Sequence, residues 1–270
     1  MQTSPTTNGC DDTTDSHRRV VERVILKMHE QLDRPFSLHE MADVANLSPF
    51  HFNRVFRQIT GIPPNQFLYA LRLEAAKRLL LTTHLRVTDV CFEVGYNSLG
   101  TFSTRFTQLV GLSPYQLRHM TDEMTSPVEL IPDSLQSFPP ATRFVGCISG
   151  RITAPHPCSR AIFVGLFRTR IPQGRPVAGV LLTRPGDYNI GPLMDGKYFL
   201  FAAALPVATE PLNYLLPNAA SLLVGGGQGP IVVMRGQVYG NANIKLRQLR
   251  LTDPPILVAL PSLLTEQLRV

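Results

Sequence analysis

Between residues 44 and 117 the chain writes one pattern twice. VANLSPFHFNRVFRQITGIPPNQF (Val44 to Phe67) lies over VGYNSLGTFSTRFTQLVGLSPYQL (Val94 to Leu117) at a constant offset of 50 residues. Val44/Val94, Ser48/Ser98, Phe52/Phe102, Phe56/Phe106, Gln58/Gln108, Gly61/Gly111, Pro64/Pro114 and Gln66/Gln116 coincide. A match in fixed register means that one supersecondary unit is used twice. The repeated residues are those that start, bury and stop a helix, so the pattern constrains the fold before any other feature is considered.

In the first copy, Leu38, Met41, Ala42 and Ala45 recur at helical spacing behind Ser37, which predicts a short capped amphipathic helix. Asn46-Leu47 makes the turn. Ser48 then caps a new helix, with Pro49 at its first position, where a missing N–H costs nothing. Phe52, Val55, Phe56 and Ile59 form the buried stripe and Gly61 the stop, leaving Phe50, His51, Asn53, Arg54 and Arg57 facing outward. Two helices joined by a short turn, the second with a polar and basic face, have helix-turn-helix geometry, which sets the second helix into a DNA major groove. One such unit could equally be a helical hairpin with a solvated basic face; a generic bundle, however, does not demand the same cap, stripe and stop twice. Between the copies, Pro63 to Leu81 is a strong helix former, with Phe67, Leu71, Ala75 and Leu79 on one line and Leu68, Ala76 and Leu80 beside it. A rod of roughly 25–30 Å could hold two recognition helices about one DNA turn, ~34 Å, apart.

LHEMADVANLSPFHFNRVFRQITGIPPNQFLYALRLEAAKRLLL, followed by VTDVCFEVGYNSLGTFSTRFTQLVGLSPYQLR, resembles the DNA-binding domain of AraC/XylS-type bacterial transcription regulators. The resemblance covers about residues 18–120. It implies an all-α double helix-turn-helix domain over 17–120 and sequence-specific regulation of transcription. The implied partners are double-stranded operator DNA and RNA polymerase; no cofactor and a cytoplasmic location are implied as well. Carried over residue by residue, the base-reading positions fall on Phe50, Asn53 and Arg54, then on Leu99, Gly100, Ser103 and Thr104. Phosphate contacts fall on Ser48, His51, Arg57, Ser98 and Arg105, although a core-side or ion-paired place for Arg105 is an equal alternative. The second copy departs from the family pattern: its reading positions are short or apolar, where longer polar or basic side chains are usual. Cys91 also stands where a small alanine is common. The half-sites are therefore expected to be unequal.

With 270 residues, 44% of them hydrophobic, there is material for a second domain. Residues 1–16 are polar, without the basic start and apolar core of a signal peptide, and read as a disordered lead-in to a first helix over His17 to Leu32. Residues 17–120 hold 13 Lys+Arg against 8 Asp+Glu, a net charge of +5 that suits phosphate binding. Residues 121–137 hold four acids and no bases, so 121–140 reads as an acidic linker that few contacts should cross. Residues 138–270 hold 13 bases against 5 acids. DNA holding, an anionic ligand, or arginines solvating strand faces would each account for that balance.

Over 141–270 the helical spacing gives way to short β-rich runs between Pro/Gly turns: RFVGCIS, AIFVGLF, RPVAGVLLT, YNIGPL, KYFLFAAAL, SLLVG, PIVVM and PILVAL. This predicts a separate all-β sandwich. The order IFVGLF, RPVAGVLL, PGDYNIGPLMDGKYFLFAAAL, with the Asp195-Gly196-Lys197-Tyr198 turn, loosely resembles transthyretin or carboxypeptidase-regulatory domains. A small-molecule effector or a homodimer contact is the role expected of such an appended domain. No apolar run reaches the ~18–20 residues that span a membrane. The four cysteines (Cys10, Cys91, Cys147, Cys158) are scattered, as reduced thiols are.

Chemistry is sparse. Cys158 in PHPCSR, two residues after His156, raises an alternative function: a DNA-repair alkyl acceptor built on the same DNA-binding half. The histidine does not directly follow the cysteine, as that repair signature requires, and no zinc-binding cysteine cluster is present. Two residues are also too few for a metal site, which needs about four ligands. Gly225 to Gly229 (GGGQG) precedes a strand and no helix start, so it reads as a loop and not as a phosphate cradle. No catalytic residue and no metal site is expected.

Overall fold

The computed structural model describes residues 9–123, 146–155, 160–206 and 212–259. The first part is all helix: α1 (Gly9–Glu30), α2 (Leu38–Ala45), α3 (Pro49–Thr60), α4 (Pro64–Thr82), α5 (Val87–Glu93), α6 (Leu99–Val110) and α7 (Pro114–Glu123). Helix α1 begins at Gly9, so the lead-in expected to be disordered through Ser16 is helical from Gly9 onward.

Local chemistry explains the boundaries. Ser37 and Glu40 form a reciprocal capping box at the start of α2: Glu40 N–H donates to Ser37 Oγ (3.3 Å), and Ser37 N–H to Glu40 Oε2 (2.6 Å). Hydrogen bonding to the Ser37 side chain, and then to the Ser37 N–H, holds the Glu40 carboxyl below its ordinary pKa. Ser48 and Ser98 cap α3 and α6, and Gly61 (φ 82°) and Gly111 (φ 92°) end them in the left-handed region.

Two clusters fill the helical half. Val21, Val24, Ile25 and Met28 of α1 pack on Met41 and Ala42 of α2, Phe52 and Phe56 of α3, and Phe67 of α4. Farther along α4, Leu73, Ala76 and Leu80 pack on Val90 and Cys91 of α5, Phe102 and Phe106 of α6, and Leu117 of α7. Helix α4 thus serves both copies, which is why apolar side chains surround it and none of its faces is wholly polar. Its buried Arg72 links the copies, donating to Arg34 O (2.7 Å) and Gly95 O (3.3 Å).

The second part is β-rich: β1 (Gly146–Thr153), β2 (Arg160–Phe167), β3 (Ala178–Leu182), β4 (Asp187–Leu193), β5 (Gly196–Pro206), a short α8 (Leu212–Leu215), β6 (Leu223–Gly226), β7 (Ile231–Met234), β8 (Gln237–Tyr239), β9 (Ile244–Lys245) and β10 (Arg247–Gln248). One sheet has the order β4-β1-β9; the other runs β10-β6-β5-β2-β3, with β7 also on β5 and β8 on β7. Ile148, Tyr188 and Ile190 of the first face Ile162, Val164, Tyr198 and Leu200 of the second in one core, so the sheets form a sandwich. The Asp195 carboxylate before β5 accepts the N–H groups of Arg235 (2.8 Å) and Gly236 (3.4 Å), tying the β7–β8 turn to the sheet.

Two expectations for the strands of the β half need correction. PILVAL (255–260) is not a strand over its described residues, and Gly225 and Gly226 lie in β6, where a loop is expected. Strand β2 explains the first difference. It is buried on both faces, and its outer face (Ala161, Phe163) packs with Tyr214, Leu222, Leu249 and Ile256. The described residues 254–259 cover the sheet instead of joining it.

The halves also touch, against the expectation of few crossing contacts. Ile171, in the β2–β3 loop, is buried in the first-copy cluster, and Leu215, Leu257 and Ala259 are buried in the second. Gly174 N–H donates to Leu109 O (2.6 Å), Ala259 N–H to Val110 O (3.3 Å) and Arg175 Nε to Gly111 O (3.4 Å). Residues 124–145, which hold most of the acidic linker, lie outside the described residues.

Candidate nucleic-acid interface

The Ser48 hydroxyl accepts the His51 N–H (3.4 Å) and fixes where α3 starts. With Phe52, Val55 and Phe56 turned inward, Phe50 stands 83% exposed, Arg54 and Arg57 are exposed, and His51 and Asn53 are half-buried. The His51 ring meets the His17 ring of α1 edge-on (5.9 Å), so α1 steadies the first turn of α3. Among the described residues, no carboxylate pairs with Arg54 or Arg57. The face therefore presents an aromatic ring, an amide and two guanidinium groups.

The second copy is built in the same way. Ser98 Oγ accepts the Thr101 N–H (3.4 Å), and Phe102 and Phe106 are fully buried. Outward stand Leu99 (39% exposed), Gly100 and Thr104, with Ser103 half-buried. A Cβ at Gly100 would meet nothing within 4 Å. This face is low and nearly free of charge.

Arg105 is placed differently from the other expected phosphate contacts. Its guanidinium lies 4.7 Å over the Tyr69 ring of α4, a cation–π contact. It borders a cleft of about 700 Å³ between the copies, lined also by Ser37, Asn65, Tyr69, Asn97 and Thr101. Tyr96, whose ring packs against Tyr69 (6.3 Å) and Phe102 (5.3 Å), closes the same cleft, and burial pushes its hydroxyl pKa up. Thr101 and Arg105 were legible as an i, i+4 pair on α6. Tyr69 and Asn65 were not, because only the packed α4 brings them there.

The outward faces of α3 and α6 remain open with the β half in place. The β half instead meets α6 at its C-terminal end, through Gly174, Arg175 and Ala259. Cys91 is buried with its thiol pKa raised by desolvation, and Cys147 is exposed. His156 and Cys158, on which the alkyl-acceptor alternative would rest, lie outside the described residues. Among the described residues, no group of three or more His, Cys, Asp or Glu could hold a metal, and no helix is long and apolar enough to cross a membrane.

Residues 41–120 match a family model described as a helix-turn-helix domain. The transcriptional activator RhaR of Escherichia coli (strain K12) is 32% identical over 108 residues, which are 40% of this chain and 38% of RhaR. The chain thus spans less than two-fifths of the length of these relatives. Among solved structures, an AraC-type DNA-binding-domain regulator from Chromobacterium violaceum is 22% identical (TM-score 0.38, covering 39% of this chain and 95% of that one). The DNA-binding domain of the global transcriptional factor AdpA, solved with a target DNA, is 30% identical (TM-score 0.37, 38% and 93%).

Proposed function

Since residues 41–120 are an AraC-type helix-turn-helix domain, we propose that this chain is a sequence-specific DNA-binding transcription regulator. In it, α3 and α6 enter successive major grooves of one duplex. The observation that carries this reading is the pair of capped helices, each with an open outward face, packed along the two parts of α4. At 1.5 Å per residue α4 is about 28 Å long, a separation on the scale of one DNA turn.

Base reading is assigned to Phe50, Asn53 and Arg54 in one groove and to Leu99, Gly100, Ser103 and Thr104 in the other. Arg54 suits guanine, Asn53 adenine, and the low face of α6 the methyl groups of thymine. Ser48, His51, Arg57 and Ser98 take backbone phosphates, with Arg105 reaching the duplex from its seat on Tyr69. RNA polymerase is the second macromolecular partner, and the cytoplasm the compartment where both are met. The β half serves effector binding or dimerisation.

Fluorescence anisotropy tests the reading. At matched salt, the full chain should bind a duplex selected from random sequence about a thousandfold or more tighter than a scrambled one. Equal affinity for every duplex would overturn it.

A further inference from the structure

The outer face of the second sheet contains a hollow. Gly165, Phe201 and Gly226 form one row across β2, β5 and β6, and Phe163, Ala203 and Val224 the next. Small residues beside rings leave depth in the floor, and Phe167 packs on Phe201 at 5.8 Å along one side. The walls are the two segments that reach the helical half. Pro172 comes from the β2–β3 loop; Pro254, Ile256 and Val258 come from the C-terminal segment. Together they border a half-open hollow of about 220 Å³.

The lining decides what fits. Among the described residues, its charged groups are Arg247 and Asp253, and these neutralise each other through two hydrogen bonds of 2.7 Å. Asp253 also accepts the Arg250 N–H (2.7 Å). Neither a cation nor an anion would find an unpaired partner, while an apolar cavity of about 150 Å³ already suffices for benzene.

We infer that this hollow is the site of an uncharged, largely apolar small molecule of one or two rings, which acts on the recognition helix α6 through the two segments that wall it. The loop carrying Pro172 holds the end of α6 through Gly174 N–H to Leu109 O (2.6 Å). The segment carrying Ile256 and Val258 holds it through Ala259 N–H to Val110 O (3.3 Å), and Lys77 Nζ of α4 donates to Ile256 O (3.3 Å). A ligand between floor and walls therefore bears on both attachments at once. Its effect on DNA requires only that it bind the DNA-competent and incompetent arrangements unequally. This coupling rests on the DNA-binding reading above; the site itself does not.

The probe is N-phenyl-1-naphthylamine, an uncharged aromatic whose emission rises in apolar surroundings, titrated into the full chain without DNA. Saturable one-to-one binding is expected. Ala203→Phe, which puts a ring into the hollow, and Val224→Phe, at its partly exposed edge, should each weaken binding about tenfold or more while the melting temperature holds or rises. Saturating probe should then change the affinity of the wild-type chain for its selected duplex by about fivefold or more, and leave Ala203→Phe unaffected. No saturable binding, or binding that survives both substitutions, would overturn the site. Saturation with unchanged DNA affinity would overturn the coupling. A chain that binds no duplex at all would refute the proposed function, and the titration without DNA would still decide the site.

Discussion

In the first copy the exposed side of the second helix carries Phe50, Asn53, Arg54 and Arg57; fifty residues on, the same places hold Gly100, Ser103, Thr104 and Thr107. Caps, stops and inward aromatics match across that interval, and both helices form where expected. The repeat therefore preserves what places a helix and changes what the helix shows. A position buried in the first copy even lies at the surface in the second. Val55 lies in the α1–α4 core, whereas Arg105 opens onto the cleft over Tyr69. Equal scaffolds with unequal faces are what a reader of an asymmetric site needs.

Equality of the scaffolds can be broken by the largest perturbation. Phe52 and Phe102 are both 0% exposed, and each changed to Ala should cost about 3–5 kcal/mol. Chemical denaturation of the full chain measures both. A large loss in only one variant would show that one copy carries the fold and the other merely leans on it.

The turns are where the copies differ structurally. Asn46 takes the left-handed conformation after α2 (φ 54°), but after α5 it falls on Gly95 (φ 77°), one place earlier in the repeat. A Cβ on Gly95 would press on the Leu32 carbonyl oxygen and the Arg72 guanidinium, whereas one on Gly61 would meet nothing within 4 Å. Gly95→Ala should therefore cost about 3 kcal/mol or more, through backbone clash added to conformational strain. Gly61→Ala should cost only about 1 kcal/mol, for the conformation alone. Similar losses at the two sites would mean that the second turn relaxes freely.

Helix α4 offers a parallel contrast in its buried cations. Arg72 has two carbonyl partners; Lys77, 3% exposed, is seen donating to Ile256 O. Burial pushes the Lys77 pKa down from 10.5 to about 8, with Glu74 opposing. Below pH 8 the lysine is charged in both folded and unfolded chains. Between about 8 and 10.5 the unfolded chain holds the extra proton, so stability rises with pH through that window, by up to about 3 kcal/mol. Lys77→Met should flatten this rise in denaturation experiments at stepped pH; an unchanged slope would show that another group causes it.

How much of this was legible in the sequence depends on whether the cause was local. Ser48, Ser98, Gly61 and Gly111 act within one turn of themselves, so they announced the helix ends. Strands β2 and β5 were legible as apolar runs, AIFVGLF and KYFLFAAAL. The segment after Asp253 was not, because PILVAL has strand composition, yet its neighbours are an already paired sheet and the helical half. The seat of Arg105 was equally hidden, since Tyr69 lies on a different helix. Nor does composition show that α1 starts at Gly9, where polar residues extend a helix whose apolar stripe begins later.

On the outward faces of α3 and α6 the expected effects are smaller and fall on binding. Arg54→Ala should cost about 1–3 kcal/mol of DNA affinity and relax the preference at one base pair. Ser103→Ala and Thr104→Ala, tested on the same duplex, should each cost under about 1 kcal/mol, since neither replaces a two-bond contact to a base. If Arg54→Ala weakened binding to all sequences equally, Arg54 would be a phosphate contact and the contrast between the faces would narrow.

The most direct measurement is selection of bound duplexes from a random library by the full chain, read as information at each base pair. Unequal faces predict two half-sites about one helical turn apart. The half-site under α3 should be sharply specified and the half-site under α6 weakly so, with a lean toward A·T pairs. Two half-sites of equal information would contradict the account, because they would require Leu99, Gly100, Ser103 and Thr104 to discriminate bases as well as Phe50, Asn53 and Arg54 do.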